Sequence, residues 1–186
     1  PISINLIISN NVKSKGLKFG KIHRIKKKIF NFRNSISEKK VLAELKKNKI
    51  DLICLAGFMK ILSRNFIKNF NGKILNIHPS LLPKYKGLNT FSRMLENKEK
   101  KAGCTVHYVR AEVDTGPIII QAAVPVLPTD NPKTLSERIL LAEHECYPLA
   151  VELIANGNAT IQNNTVILSG NFNCSNNLIN PLKIKK

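Results

Sequence analysis

Three polar side chains end or follow apolar runs in this sequence, and their types are those that handle a carbonyl group. The run from Lys73 to Ile77 carries Asn76 and is followed by His78, and the run that begins at Cys104 leads into a loop with Asp114. In extended backbone, Asn76 and His78 point to the same side. Because ligands bind beyond the carboxyl ends of strands in an open parallel sheet, these positions are candidates for one pocket.

An amide, an imidazole and a carboxylate together suit a reaction in which a carbonyl oxygen becomes negatively charged. Asn76 and a protonated His78 can donate hydrogen bonds to that oxyanion, and a nearby carboxylate favours the imidazolium form. Asp114, directly or through water, can take the proton from an attacking amine. The sequence has no G-x-S-x-G motif, so direct acyl transfer between bound substrates fits better than a covalent intermediate.

Each of these residues also has a purely structural interpretation. Asn76 can cap a turn, and His78 can be a hydrogen-bonded loop histidine. Asp114 is followed by Thr-Gly-Pro, which is a common turn composition because Asp bonds its own backbone and Gly takes unusual φ angles. Local pattern alone leaves both interpretations open.

Apolar runs alternate with segments of helical period along the chain, as in the crossover units that build a parallel sheet. We therefore expect an α/β fold in which a mostly parallel, twisted, Rossmann-like sheet has helices on both faces. Strands are predicted at residues 4–8, 51–56, 73–77, 104–109 and 118–123. A capping box at Ser35-x-x-Glu38 opens one helix, and shorter helices are predicted over residues 63–70 and 90–97.

The last part of the predicted domain combines a long helix with a small hairpin. A second capping box, Thr134-x-x-Glu137, opens the helix, Pro148 should kink or divide it, and Gly157 should stop it. The segment "ATIQNNTVILSG" predicts a C-terminal β-hairpin, since Asn163 and Asn164 can take the positive φ of a tight turn. We expect a single domain over residues 1–169 and a flexible tail over residues 170–186.

The composition of the 186 residues, of which 43% are hydrophobic, is that of one ordinary globular domain. No apolar run reaches the roughly 20 residues of a membrane span, and the first residues do not resemble a secretory signal. We therefore predict a soluble, cytoplasmic protein. The four cysteines lack C-x-x-C spacing, so neither a metal site nor a disulfide framework is indicated.

The net charge of +18 is concentrated in one half of the chain. Residues 1–101 hold 24 Lys or Arg against 5 Asp or Glu, whereas residues 102–186 hold 6 against 7. Such an excess raises nucleic acid as a partner. Two other interpretations stay open, namely a solvated lysine surface that reflects biased composition, and attraction of anionic substrates.

Five segments in order resemble the glycinamide ribonucleotide formyltransferases of purine biosynthesis: "LAGFMKILS", "LNIHPSLLPKYKG", "GCTVHYV", "DTGPIIIQ" and "LSERILLAEHECYPLA". The resemblance covers roughly residues 4–169 and implies the formyltransferase fold. It also implies transfer of a formyl group from 10-formyltetrahydrofolate to the glycinamide amine of glycinamide ribonucleotide. The match places the catalytic residues at Asn76, His78 and Asp114.

The resemblance also implies binding residues. The folate pocket would be lined by two loops and Asn76, with pterin contacts made largely through backbone groups: Met59, Lys60, Ile61 and Leu62 in one loop, and Arg110, Ala111, Glu112, Val113 and Asp114 in the other. Arg33 matches an arginine that meets the folate's glutamate tail, and Glu143 matches a residue that contacts the ribonucleotide substrate. Thr105 and His107 would support the pocket from behind.

The implied partners are small molecules, with no metal, no nucleic acid and no membrane, in a monomer or homodimer. The family normally opens with a strand and a Gly/Ser-rich turn that binds the substrate's phosphate at a helix N-terminus. Residues 1–11 match the family's second strand, so we expect either a truncated sequence or a protein without that phosphate site. Lys60 replaces the usual Arg and loses its bidentate geometry, and Phe91 replaces a His.

Three alternatives share the fold. A methionyl-tRNA formyltransferase would suit the basic charge, but that family resembles "HASLLP" where this chain has "HPSLLP", and it carries a C-terminal domain. A formyltetrahydrofolate hydrolase has a related loop and an N-terminal regulatory domain. The third alternative, from a different functional class, is a binding protein or inactive remnant that retains folate affinity without the phosphate loop. Pro79 and the "LSERILLAEH" segment favour the ribonucleotide enzyme.

Overall fold

The computed structural model describes residues 2–32 and 34–170, together with the backbone of Leu178–Ile179. The helices of this part are α1 (Leu17–Ile22), α2 (Ser35–Lys47), α3 (Arg64–Asn69), α4 (Thr90–Glu96) and α5 (Pro132–Ala155). Its strands are β1 (Leu6–Ser9), β2 (Lys26–Ile29), β3 (Leu52–Leu55), β4 (Lys73–His78), β5 (Lys101–Tyr108), β6 (Ile118–Pro125), β7 (Ala159–Gln162), β8 (Thr165–Leu168) and β9 (Leu178–Ile179).

The chain divides into two compact units. The first unit comprises Pro1–Ile53 and Phe58–Lys73, and the second comprises Cys54–Gly57 and Ile74–Lys186. The prediction of a single domain over residues 1–169 remains a prediction. The predicted flexible tail lies outside the described residues, apart from Gly170 and the short strand β9.

In the first unit, β1 and β2 form a parallel pair in which Leu6 lies opposite Lys26. Helix α2 begins one residue earlier than its predicted capping box, because Asn34 is the N-cap and its side chain accepts from the backbone N–H of Ser37 at 3.0 Å. Glu38 has a different partner from the predicted one. Its carboxylate accepts from the backbone N–H of Ser63 at 2.9 Å and from the Ser63 hydroxyl, so it joins α2 to the start of α3.

The large sheet has the strand order β3-β4-β5-β6-β9. The α/β fold class is confirmed, but the sheet is mixed: β4 and β5, β5 and β6, and β6 and β9 all pair antiparallel. The expectation of mostly parallel strands is therefore corrected, and for β5 and β6 the length of their connection gives the reason. Residues 109–117 between β5 and β6 are too few for the crossover of a dozen or more residues that a parallel pair requires.

Helix α5 covers β5 and β6. Its Leu135, Ile139, Cys146 and Ala150 are fully buried, a spacing that places them on one helix face. The helix begins before its predicted capping box, because Asn131 is the N-cap and exchanges hydrogen bonds with Thr134. It continues as one helix through Pro148 to Ala155. Of the two predicted effects of Pro148, division of the helix is therefore wrong, and a kink stays a prediction.

The predicted C-terminal hairpin is confirmed by the antiparallel pair β7 and β8. Asn163 and Asn164 in its turn have φ angles of 49° and 59°, as a two-residue hairpin turn demands. Among the described residues, no helix combines the length and the hydropathy needed to cross a bilayer.

Candidate active site

The pairing of β4 with β5 brings the candidate residues of the second unit together. In the antiparallel register, Asn76 lies opposite His107 and His78 lies opposite Thr105. Residues opposite each other in this way share a face of the sheet. The register of β5 against β6 shifts between Val106 and His107, and such bulges re-aim side chains near functional sites.

His78 is held from both sides of its ring. Its Nε2 lies 2.8 Å from the backbone carbonyl of Tyr85, and its Nδ1 lies 3.3 Å from Oδ2 of Asp114. Since a carbonyl oxygen can only accept, Nε2 carries the proton in the contact with Tyr85. The side chain is 7% exposed, so bulk water competes little for either ring nitrogen.

Asp114 belongs to the loop between β5 and β6, and its φ angle of 52° turns the chain back over the strand end. Its Oδ2 accepts from the backbone N–H of Gly87 at 2.9 Å, and its Oδ1 lies 3.6 Å from Nε2 of His107. The side chain is 9% exposed. The carboxylate therefore faces two imidazoles and one backbone donor in a nearly dry setting.

The contacts of His107 are those of a neutral imidazole. Its Nδ1 lies 2.9 Å from the Tyr108 carbonyl, which can only accept, so Nδ1 carries the proton and Nε2 has a free lone pair. That lone pair accepts from the amide of Asn76 at 3.3 Å. Burial lowers the pKa of His107, although the Tyr108 carbonyl and the charge of Asp114 oppose the shift. His107 thereby orients the Asn76 amide and leaves its second N–H available.

Thr105 anchors the loop that follows His78. Its hydroxyl donates to the carbonyl of Ser80 at 2.6 Å and accepts from the backbone N–H of Leu82 at 3.0 Å. It also accepts from Nε2 of Gln121 at 2.9 Å, and Gln121 in turn donates to the Leu82 carbonyl. These groups are buried, so satisfied polar contacts join the loop to two neighbouring strands, β5 and β6.

Replacing Thr105 by valine keeps the shape of the side chain and removes its hydroxyl. The substitution leaves the Ser80 carbonyl and the Leu82 N–H without a partner at a site where Thr105 is 0% exposed. Since each buried unsatisfied group costs about 1–3 kcal/mol, we expect the free energy of unfolding to fall by about 3 kcal/mol. Urea denaturation measures it, with the exposed Thr160→Val as the control. A loss below about 0.5 kcal/mol, the usual range for surface substitutions, would contradict this account.

The lowered pKa of His107 also predicts a pH dependence of stability. An unfolded histidine titrates near pH 6.5. Because the folded pKa is lower, the unfolded chain binds more protons below about pH 6.5, so the contribution of His107 to stability is lost as the pH falls. In His107→Gln, we expect the free energy of unfolding to decline less steeply as the pH falls, by up to about 1.4 kcal/mol per pH unit.

Urea denaturation at pH 7.5, 6.5 and 5.5 would measure this slope in the wild type and in His107→Gln. Carboxylates with lowered pKa values, such as Asp130 and Glu44, keep their full contribution to stability over this range and lose it only below about pH 4, where unfolded carboxyls titrate. Equal slopes for the two proteins would show that His107 is not the buried neutral group.

Gly116 is required by close packing in the loop that carries Asp114. A Cβ at this position would lie 1.7 Å from the carbonyl oxygen of Tyr108, far inside any allowed contact. The same strand end is fixed by the backbone N–H of Tyr108, which donates to the Pro117 carbonyl at 2.9 Å. Only a residue without a side chain lets the loop return over β5 this closely.

The other predicted site residues are distributed over both units. Arg33 lies outside the described residues. In the first unit, Met59 and Ile61 are 73% and 75% exposed, whereas Leu62 is buried, which leaves its backbone rather than its side chain for a ligand. Lys60 is exposed.

In the second unit, the loop before Asp114 is open to solvent at its Arg110, Glu112 and Val113 side chains, and Ala111 is half-buried. Glu143 lies on α5, and burial raises the pKa of its carboxyl. Among residues 2–32 and 34–170, no group of three His, Cys, Asp or Glu side chains is arranged to hold a metal ion.

The structure adds partners that the sequence analysis missed, namely the Tyr85 carbonyl, the Gly87 N–H and the Gln121 amide. The two backbone groups have no signature in the residue types. The Gln121 side chain could have been suspected, since a lone amide stands within the apolar run "IIIQAAV", where a buried polar group needs partners.

Comparison with known proteins gives a consistent result. The formyl transferase family model matches residues 2–151. The chain is 41% identical to the phosphoribosylglycinamide formyltransferase of Haemophilus influenzae, covering 91% of this chain and 82% of that protein. It is 46% identical to the trifunctional purine biosynthetic protein adenosine-3 of Drosophila melanogaster, covering 84% of this chain but only 12% of that much longer protein.

A crystal structure of the phosphoribosylglycinamide formyltransferase from Anaplasma phagocytophilum superposes with a TM-score of 0.87 at 43% identity, covering 92% of this chain and 84% of that one. The residues matched by the family model include Asn76, His78 and Asp114. The chain belongs to the formyl transferase family.

Proposed function

We propose that this chain transfers the formyl group of 10-formyltetrahydrofolate to the amine of glycinamide ribonucleotide. The observation that carries the proposal is the cluster at the end of β4, where the His78 ring contacts the Asp114 carboxylate at 3.3 Å and the oriented Asn76 amide lies on the same face. The similarity to phosphoribosylglycinamide formyltransferases and to a trifunctional purine biosynthetic protein supports the choice of substrate.

The cluster supplies what formyl transfer needs. The amine attacks the formyl carbon, a C–N bond forms, and the carbonyl electron pair moves onto oxygen. The second N–H of the Asn76 amide and an N–H of the His78 imidazolium stabilise that oxyanion. Asp114 accepts the proton that the attacking nitrogen loses.

The intermediate then collapses to products. The bond between the formyl carbon and N10 of the folate breaks as the carbonyl re-forms, and the proton held at Asp114 passes to N10. In the structure both ring nitrogens of His78 have partners. The contact of Nδ1 with Asp114, at 3.3 Å, is the longer of the two. A substrate oxygen would therefore compete with Asp114 for Nδ1.

Several exposed groups suit the implied cosubstrate. Met59 and Ile61 present apolar side chains that are about three-quarters exposed, so they are available to contact a ligand. Val113, next to Asp114, is 46% exposed. For the amine substrate, Glu143 has a carboxyl partly removed from water, so a hydrogen-bond donor from the ligand would compensate its burial.

The remaining expectations belong to the same proposal. We infer that the chain acts on these two small molecules in the cytoplasm as a monomer or homodimer, without nucleic acid or a metal. The excess of lysine would then attract a phosphorylated substrate and a polyglutamate tail.

The direct test mixes the purified protein with 10-formyltetrahydrofolate and glycinamide ribonucleotide and follows both products by mass spectrometry. Formylated glycinamide ribonucleotide and tetrahydrofolate in equal amounts are expected. Formate released at the same rate without the ribonucleotide would instead identify a hydrolase. Folate binding with neither product would identify a binding protein, and either result would overturn the proposal.

A further inference from the structure

The loop after β4 supplies two backbone groups to the His78–Asp114 pair. The Tyr85 carbonyl accepts from Nε2 of His78 at 2.8 Å, and the Gly87 N–H donates to Oδ2 of Asp114 at 2.9 Å. These groups decide which ring nitrogen carries a proton and where the carboxylate lies. The conformation of residues 84–88, named here the carbonyl loop, is therefore part of the chemistry of the site.

The carbonyl loop adopts a conformation that it does not favour by itself. Tyr85 has a φ angle of 56°, in the left-handed region, which is unfavourable for a residue with a side chain. Such a backbone persists only where surrounding contacts hold it. The Ser80 hydroxyl supplies one such contact by donating to the Lys84 carbonyl at 2.6 Å. Further contacts come from Glu99, Asn97 and Arg93, which lie later in the chain.

Glu99 makes the central outer contact. Its Oε1 accepts from the Tyr85 hydroxyl at 2.9 Å and from Nζ of Lys84 at 2.8 Å, so one carboxylate oxygen holds two successive side chains of the loop. The Glu99 side chain is 22% exposed. The hydrogen bond from Lys84 first, and that from Tyr85 second, lowers the pKa of Glu99, which keeps it ionised.

Two further side chains, those of Asn97 and Arg93, contact the carbonyl loop. Nδ2 of Asn97 donates to the Tyr85 hydroxyl at 3.1 Å. The Arg93 guanidinium lies 5.3 Å from the centre of the Tyr85 ring and donates to the carbonyl of Lys86 at 2.8 Å. Together with Glu99, these side chains fix both the ring of Tyr85 and the backbone that follows it.

We propose that Glu99 is a positioning residue for formyl transfer: through the Tyr85 hydroxyl it holds the Tyr85 carbonyl on His78 and the Gly87 N–H on Asp114. The inference rests on the proposed function for its effect on turnover. Its effect on the His78 ring is independent of that function and can be measured without substrate.

The kinetic test compares Glu99→Ala, Glu99→Gln and Tyr85→Phe, with Glu96→Ala as the control, since Glu96 is an exposed carboxylate three positions away. We expect kcat to fall about tenfold in Glu99→Ala with KM for both substrates unchanged, because about one hydrogen bond to a charged group is lost. Glu99→Gln keeps an acceptor for Tyr85 and should retain kcat within about threefold. In the double variant Glu99→Ala/Tyr85→Phe, kcat should fall no further than in the more affected of the two single variants, as expected for two residues that act through one interaction.

The second readout is the ¹⁵N spectrum of the histidine rings without substrate, with His78 assigned from its disappearance in His78→Gln. In the wild type, Nε2 of His78 should resonate as a protonated nitrogen, and in Glu99→Ala it should move toward the unprotonated range. A smaller folded fraction would lower kcat without moving this resonance, so the two readouts separate positioning from stability.

Each outcome decides a different question. An unmoved His78 resonance in Glu99→Ala and Tyr85→Phe would overturn the positioning role, even if kcat fell. A raised KM with unchanged kcat would also overturn it, by showing a role in binding. If the wild type lacked formyl transfer but the resonance moved as expected, the proposed function would fail and the positioning role would stand.

Discussion

His78→Ala is expected to lower kcat for formyl transfer by about 10³- to 10⁴-fold while leaving the affinity for folate within about threefold. The substitution removes the imidazole that stabilises the oxyanion and leaves the Asp114 carboxylate without its contact at 3.3 Å. The loss falls on kcat because the oxyanion exists only in the transition state and the intermediate, not in bound substrate. Steady-state kinetics and equilibrium titration with a folate analogue measure the two quantities.

His23→Ala provides the matched control, since His23 is an exposed histidine in the first unit. It should retain wild-type kcat. A kcat of His78→Ala within about tenfold of the wild-type value would rule out the proposed mechanism, because loss of a main oxyanion donor lowers kcat by more than that.

Asp114→Asn is expected to lower kcat by about 10³-fold with a folded protein and little change in folate affinity. The asparagine still accepts from the Gly87 N–H through its side-chain oxygen, so the loop contact at 2.9 Å survives. What is lost is the negative charge that faces His78 and the base that receives the amine's proton. The substitution therefore separates the charge of Asp114 from its position.

The control for this prediction is Asp51→Asn, an equally small charge change at an exposed position of the first unit. Thermal unfolding of both variants establishes that they fold. If Asp114→Asn retained more than about a tenth of wild-type kcat, the carboxylate would be a structural turn residue, the alternative that its Thr-Gly-Pro context left open.

Much of the second unit could be predicted from the sequence, because its signals are local. The apolar runs that became β4, β5 and β6 are distinct, and the turn at Asn163 and Asn164 needs residues that tolerate positive φ. Helix starts were less predictable. Asn131 and Asn34 displaced the predicted Thr and Ser caps, since several cap-forming residues stand next to each other and local pattern does not choose among them.

The first unit was harder to predict. Strand β2 has the sequence Lys-Lys-Lys-Ile with every residue exposed, so neither apolar alternation nor a buried run marks it, and only its pairing with β1 makes it a strand. The short helix α1 was missed as well. At the candidate site, the residue types pointed to Asn76, His78 and Asp114, but the backbone partners from Tyr85 and Gly87 depend on the folded loop and leave no trace in composition.

The close packing of Gly116 against the Tyr108 carbonyl affects how mutational data at position 116 should be interpreted. The 1.7 Å that separates a hypothetical Cβ from the Tyr108 oxygen means that alanine there displaces the chain a few bonds from Asp114. In a saturation-mutagenesis screen this codon should therefore tolerate no replacement, although glycine offers no group for acid, base or ligand. Intolerance of substitution at Gly116 would then reflect a lack of space for a side chain rather than participation in the reaction.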